Sequence, residues 1–332
     1  MSSVESGKLW LGVDLGGTKI LAKLFDSSFK TLGKARKKTR GFQGQREVLE
    51  RLNRAILSAL ADAELTPECL GGIGVGVPGP VDQERGMVLE AANLNWQKLA
   101  LGKILSKEFG CPVVVSKDVD AGVYGEYRFG AAREGRTVLG VFPGTGIGGG
   151  CVYNGQMVHG KHITAMEIGH INVIPNGSLC GCGLRGCLET EASRLAISAK
   201  VAAAAYRGEA PQLMEEVGTD LAKIRSGSLA NAIAKGDHVV EVIVRQAAQR
   251  LGAAIASAVH LIAPDVVLLG GGLVEALPEL FRQEVGAAAR AGVMPSYRDS
   301  FQVVTAELGD DASVLGAAAW ACQTISSTTS TP

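Results

Sequence analysis

Along this chain the spacing of apolar positions changes, and the changes mark its elements. Residues 9–13 (LWLGV) are nearly all apolar, the chain turns at Gly16-Gly17-Thr18, and apolar and polar positions then alternate through Phe25. A continuous run followed by a period-two run predicts two strands joined by a tight glycine turn. The stretch TVLGVFPGTGIGGGCVYNG repeats this plan, with a strand to Phe142, a turn at Gly144-Thr145-Gly146 and a second strand through Val152. Residues 43–63 carry the 3.6-residue period of an amphipathic helix, and residues 239–262 that of a long alanine-rich one. GGIGVGVPGPVD reads as a buried strand entering a Pro-Gly turn, and CPVVVSKDVDAGVYGEYRFG as a strand passing into a helix near Asp118. Val266–Leu269 is a short buried strand followed by Gly270-Gly271-Gly272 and a helical pattern, and residues 310–324 form a capped helix. The basic run Lys34 to Arg40 is expected to be a solvated edge strand.

Strands alternating with helices define an α/β class, and 332 residues are enough for about two domains. Basic and acidic residues balance at 33 each. That balance gives no long-range attraction to nucleic acid or to an anionic membrane. Residues 1–8 are polar, and the longest apolar region is broken by His260, Pro264 and Asp265, so neither an export signal nor a membrane span is expected. A reducing cytoplasm is then the expected location. There, cysteines that cluster favour a metal over a disulfide. Cys69, Cys111, Cys151 and Cys322 are scattered and are expected to be small core residues.

Two glycine hairpins from two similar halves present backbone N–H groups and a threonine hydroxyl, a set of donors suited to phosphate oxygens. Gly144, Gly146 and Gly149 also satisfy G-x-G-x-x-G, but a dinucleotide fingerprint requires a helix directly afterwards. Here GCVYNGQMV follows, which reads as a strand and a turn. The glycine triplet after Leu269 is by itself a tight strand-to-helix turn; taken with the two hairpins, it is expected to carry an adenosine. Within His170-x9-Cys180-x-Cys182-x4-Cys187 stand one imidazole and three thiols, a closed four-ligand set suited to tetrahedral Zn²⁺. With no coordination position left open, such a metal is structural.

In this order, Asp14-Leu-Gly-Gly-Thr-Lys19, Gly144-Thr-Gly-Ile-Gly-Gly-Gly150, Glu167-Ile-Gly-His170, the Cys180-to-Glu189 segment and Gly270-Gly-Gly272 resemble the ROK family of sugar kinases and repressors. The resemblance runs from about Leu9 to Gln323 and implies two RNase H-like (actin-like ATPase) domains with a cleft between them. The small domain is expected at 1–128 with the C-terminal helix 310–324, the large one with the zinc loop at 129–309, and a disordered tail at 325–332. ROK repressors carry a winged helix ahead of the first motif, but thirteen residues precede Asp14 here, so the enzyme branch is expected.

The resemblance also implies roles. Asp118, at the strand end before the small domain's last helix, is the expected general base. With an ordinary acidity, near 3.9, it is ionised at neutral pH. Gly79, Asn93, Lys117, Asp118, Glu167, His170 and Glu189 are expected on the sugar. ATP is expected on Asp14, Gly16, Gly17, Thr18, Lys19, Thr145, Gly146, Gly270 and Gly271, with Asp14 holding Mg²⁺ through water. The activity implied is transfer of the γ-phosphoryl group to a hexose hydroxyl, the 6-hydroxyl of glucose or a close relative, by a homodimer. One position departs from the family: Lys117-Asp118-Val119-Asp120 stands where Asn-Asp-x-Asn is usual. Lysine donates but cannot accept a hydrogen bond. Lys117 is therefore expected either to pair with Asp120, leaving a neutral sugar bound, or to read an anionic or otherwise unusual substrate. A sugar sensor that has lost catalysis is the other reading of the same change, and the basic run 34–40 raises polyphosphate as a second donor.

Overall fold

The computed structural model describes residues 8–329. In chain order the strands are β1 (Leu9–Leu15), β2 (Lys19–Phe25), β3 (Thr31–Lys38), β4 (Leu70–Val77), β5 (Val81–Asp82), β6 (Met87–Ala91), β7 (Trp96–Leu99), β8 (Val113–Lys117), β9 (Thr137–Pro143), β10 (Ile147–Tyr153), β11 (Gln156–Met157), β12 (Val266–Leu269) and β13 (Gln302–Thr305). One five-stranded sheet has the order β3-β2-β1-β4-β8 and another β11-β10-β9-β12-β13. Each has an antiparallel hairpin at its centre (β1/β2, β9/β10) and parallel neighbours beyond it. The plan that recurs in the sequence therefore recurs in topology. A small third sheet, β5-β6-β7, hangs from the first.

The chain divides into two compact units. One runs to Arg133 and takes in Gln156–Ala165 and everything from Asp310 onward; the other is Glu134–Gly155 with Met166–Gly309. The segment Gln156–Ala165 was expected with the second half, but it groups with the first, where His162 Nδ1 lies 3.2 Å from the buried Asp82 carboxylate. A carboxylate as enclosed as Asp82 requires a hydrogen-bonding or charged partner.

In the first unit the helix Asp311–Thr329 lies directly on the sheet. A Cβ on Gly12 or on Gly74 would stand 1.9 Å from a backbone oxygen of that helix, so these strands have no side chain where it crosses. Residues 325–329, expected to be disordered, are its last turns. Ile325 holds them by packing beside Trp10 and Phe25, and Ser327 Oγ donates to the Gln323 carbonyl at 2.7 Å. Residues 330–332 lie outside the described chain. The basic strand β3 is at the sheet edge and largely exposed, as its composition predicts. In the second unit the long helix His238–Ile262 and the helix Pro278–Gly292 build the core against β9 and β12. Among the described residues no helix is long and apolar enough to cross a membrane.

Candidate active site

In the first unit, the turn after β1 joins the first set of candidate residues. Gly16 N–H donates to the Lys19 carbonyl at 2.9 Å, so this amide closes the turn and is not available to a phosphate, contrary to its expected role. Thr39 fastens the turn from outside: its hydroxyl donates to the Gly16 carbonyl at 2.6 Å and its N–H to that of Thr18 at 2.9 Å. Among the described residues the amides of Gly17 and Thr18 meet no protein acceptor. A Cβ on Gly17 would stand 3.2 Å from Asn93 Cβ, so the turn and Asn93 are immediate neighbours. Lys19 forms an ion pair with Asp310. Gly79 has φ +87°, and a side chain there would strike the Glu90 carbonyl.

Asp14 lies near the end of β1, and Asp118 opens the helix Asp118–Phe129 directly after β8. Both strands flank β4, and burial acts on both carboxyls: it raises the pKa of Asp14 and pushes that of Asp118 up to about 6. Asp118 keeps part of its residue surface open while its carboxyl is enclosed. The negative charge of Asp14 is the second cause of its shift. The Val119 N–H, donating to Asp118 Oδ1 at 2.8 Å, and the charge of Lys117 oppose it. The ordinary acidity expected for Asp118 is thus replaced by a more basic carboxylate. Lys117 itself is buried. Ser313, which sequence reasoning missed, donates to Asp14 Oδ1 at 3.1 Å from the first turn of the C-terminal helix.

The second unit holds four groups that could ligate a metal. One ligand atom from each of His170, Cys180, Cys182 and Cys187 falls within 4.8 Å of the others. Cys180 Sγ and His170 Nδ1 are 3.7 Å apart, as are the sulfurs of Cys182 and Cys187. Zinc–ligand bonds of about 2.0–2.3 Å in tetrahedral geometry require edges of roughly 3.4–3.8 Å, so the four groups are compatible with Zn²⁺. The loop turns sharply enough because Gly183 and Gly186 take positive φ, 87° and 78°. Bonding through Nδ1 leaves the other nitrogen of His170 for a second partner.

Glu189 links this clip to the second glycine hairpin. Its Oε2 accepts the Ile147 N–H at 3.0 Å and lies where a Cβ on Gly146 would be, while Oε1 accepts from Cys180 Sγ at 3.5 Å. Glu167 precedes the short helix Ile168–His170. Gly144 N–H is used within the turn, donating to the Gly146 carbonyl at 2.8 Å, and Thr145 Oγ1 accepts from Arg194 at 2.8 Å. The expected adenosine glycines separate in function. Gly270 donates to the Val141 carbonyl, and its Cβ position is occupied by the Phe142 ring; Gly271 serves its φ of +82°. Gly272, next along, lines a cavity of about 620 Å³ together with Arg194, Arg225 and Ser226. Those three side chains were not foreseen. Their signal in the sequence is faint, since each merely starts or precedes a helix.

Two sheets of one topology, each with a glycine hairpin at its centre, and an acidic strand end in the first unit define the two-domain actin-like ATPase fold. The ROK family model matches residues 10–324, and the chain belongs to the ROK family. A glucokinase from Thermotoga maritima is 34% identical over 312 residues, covering 93% of this chain and 95% of that protein. The crystal structure of a ROK-family glucokinase from Streptomyces griseus, in complex with glucose and AMPPNP, superposes with a TM-score of 0.82 at 33% identity, covering 95% of this chain and 99% of the other. A putative xylose repressor from Caldicellulosiruptor sp. is 29% identical, covering 94% of this chain and 77% of its own length.

Proposed function

We propose that this protein is an ATP-dependent hexose kinase that transfers the γ-phosphoryl group to the 6-hydroxyl of glucose or a close relative. The observation that carries the reading is the enclosed Asp118 carboxyl, made more basic by burial and by Asp14, in the unit whose glycine turn adjoins Asn93. Transfer from ATP needs donors on the phosphates, a cation on their oxygens and an acceptor for the hydroxyl proton. Gly17, Thr18, Thr145 and Gly146 are the donors in this reading. Asp14 would hold Mg²⁺, which would supply charge neutralisation. Asp118 accepts the hydroxyl proton as the phosphoryl group arrives, and a pKa nearer neutrality makes that acceptance more favourable.

In this reading Asn93, Gly79 and Lys117 are the acceptor-binding candidates of the first unit, and Glu167, His170 and Glu189 are those of the second. Carboxylates suit this work because bonds from sugar hydroxyls to an ionised acceptor are the stronger kind. His170, Cys180, Cys182 and Cys187 would hold a structural Zn²⁺, which would fix the loop bearing these groups. Cys180 in thiolate form has no S–H to give Glu189, whose Oε1 is then left for the sugar.

A coupled ADP-release assay across glucose, mannose, fructose, allose and N-acetylated amino sugars tests the proposal. Sugar-dependent release with glucose or a near relative is expected. Silence across the panel, with sugars still binding, would replace the kinase by a sensor. Running the same panel with polyphosphate in place of ATP identifies the donor.

A further inference from the structure

The cavity of about 620 Å³ in the second unit has a one-sided charge. Its lining includes Arg194 and Arg225 and no carboxylate. Arg194 donates from Nη2 to Thr145 Oγ1 at 2.8 Å and from Nη1 to the Ile224 carbonyl at 3.2 Å, while Arg225 donates from Nε to the Ala222 carbonyl at 3.3 Å. Among the described residues neither guanidinium forms an ion pair. Burial, and then the positive charge of Arg225 nearby, lower the pKa of Arg194. Two guanidinium groups facing one cavity repel each other, and an anion between them removes that repulsion.

The contact with Thr145 adds direction. A guanidinium has donors and no acceptor, so the Thr145 oxygen must accept in this bond and its own O–H must donate elsewhere. Arg194 thereby converts the hydroxyl of the Gly144-Thr145-Gly146 turn into an oriented donor. The N-terminus of the helix Ser226–Ala234, with Ser226 and Gly227 on the cavity wall, adds positive potential of the same sense.

We propose that Arg194 and Arg225 hold the phosphates that remain with the nucleotide after transfer, and that Arg194 is a positioning residue that aims the Thr145 hydroxyl at them. The proposal rests on the kinase reading and names which groups bind the donor's diphosphate.

The test uses the full chain with Arg194→Ala, Arg194→Lys and Arg225→Gln. Calorimetry reads ADP affinity without turnover, and steady-state assays read KM for MgATP and for sugar separately. Loss of a charge-assisted bond weakens ADP and raises KM for ATP about tenfold or more in Arg194→Ala. KM for sugar stays within about twofold, which a general loss of fold would not allow. Lysine restores the charge but not the two-armed bridge, so Arg194→Lys recovers part of the ADP affinity. In a Thr145→Ala background the Arg194→Ala effect shrinks, because the two groups act as a unit. Both arginine variants keeping wild-type ADP affinity, in an enzyme that phosphorylates hexoses, overturns this proposal and leaves the kinase reading intact. Arginine-dependent ADP binding without phosphorylation of any sugar does the reverse.

Discussion

In the proposed reaction Asp118 takes a proton from a sugar hydroxyl; a carboxylate in that role is better placed near neutrality than at its ordinary acidity, and burial shifts Asp118 in that direction. The same shift fixes the pH behaviour. The base form is lost as pH falls through about 6, so kcat/KM for the sugar, measured with saturating MgATP, is expected to decline below that value. Asp118→Asn is expected to lower kcat by a factor of about 10²–10⁴ while calorimetry still finds sugar binding. A carboxyl whose folded pKa exceeds its unfolded value destabilises the fold. That cost is absent below the unfolded pKa near 3.8 and complete above about 6. Asp118→Asn should therefore raise Tm at pH 8, by relief on the order of 1–3 kcal/mol, and leave it unchanged at pH 3.5. Lys117 opposes the shift. Lys117→Asn is expected to move the acid limb of the kcat/KM profile to higher pH, and an unmoved limb would deny Lys117 this influence. The same variant, assayed on the sugar panel, keeps the ranking of sugars if Lys117 acts through Asp118 alone and reorders it if Lys117 touches the acceptor.

At the scale of elements, the Cys180–Cys187 loop is closed by backbone bonds such as Cys180 N–H to Leu184 at 2.8 Å and Gly186 N–H to Ser178 at 3.0 Å. Its sulfurs are unbridged. A metal held by His170 and the three cysteines would add a constraint, and its binding free energy would be folding free energy for that loop. Cys182→Ser is expected to reduce zinc from about one per chain, measured by elemental analysis, and to lower Tm by about 5–10 °C. KM for sugar should rise with it, because Glu189 bridges the loop and the glycine hairpin; zinc loss with an unchanged sugar KM would detach the clip from acceptor binding. The helix Asp311–Thr329 does comparable positioning in the first unit. Pressed against Gly12 and Gly74, it brings Ser313 onto Asp14 from nearly three hundred residues away in sequence.

At the scale of the molecule, the repeated sheet order gives each unit a strand–glycine turn–strand at its centre, and the two units differ in what they append to it. The first adds the aspartates Asp14 and Asp118; the second adds the cysteine loop and the arginine-lined cavity. A ligand that binds the folded chain stabilises it by mass action. Glucose at about 100 times its Kd should contribute about 2.7 kcal/mol, and ADP a separate increment; thermal shift measured with each alone and both together checks this. A Tm that responds to neither would contradict both binding assignments.

The local signals in the sequence determined a good deal: the glycine turns, the strand end at Asp14, the junction at Asp118 and the ligand spacing from His170 to Cys187. Each rests on chemistry within a few consecutive residues, and the strands and long helices followed from periodicity for the same reason. Groups separated in sequence had to wait for the tertiary structure. Ser313 meets Asp14, and Arg194 meets Thr145, because helices from distant parts of the chain start at those points. Folding also decided which amides remain available, since Gly16 spends its N–H on Lys19. Near the polar end of the C-terminal helix, Ile325 packs against a cluster whose members include Trp10 and Phe25, far away in sequence. The acidity of Asp118 belongs with these: a pKa depends on burial and on neighbouring charge, and both are properties of the folded chain.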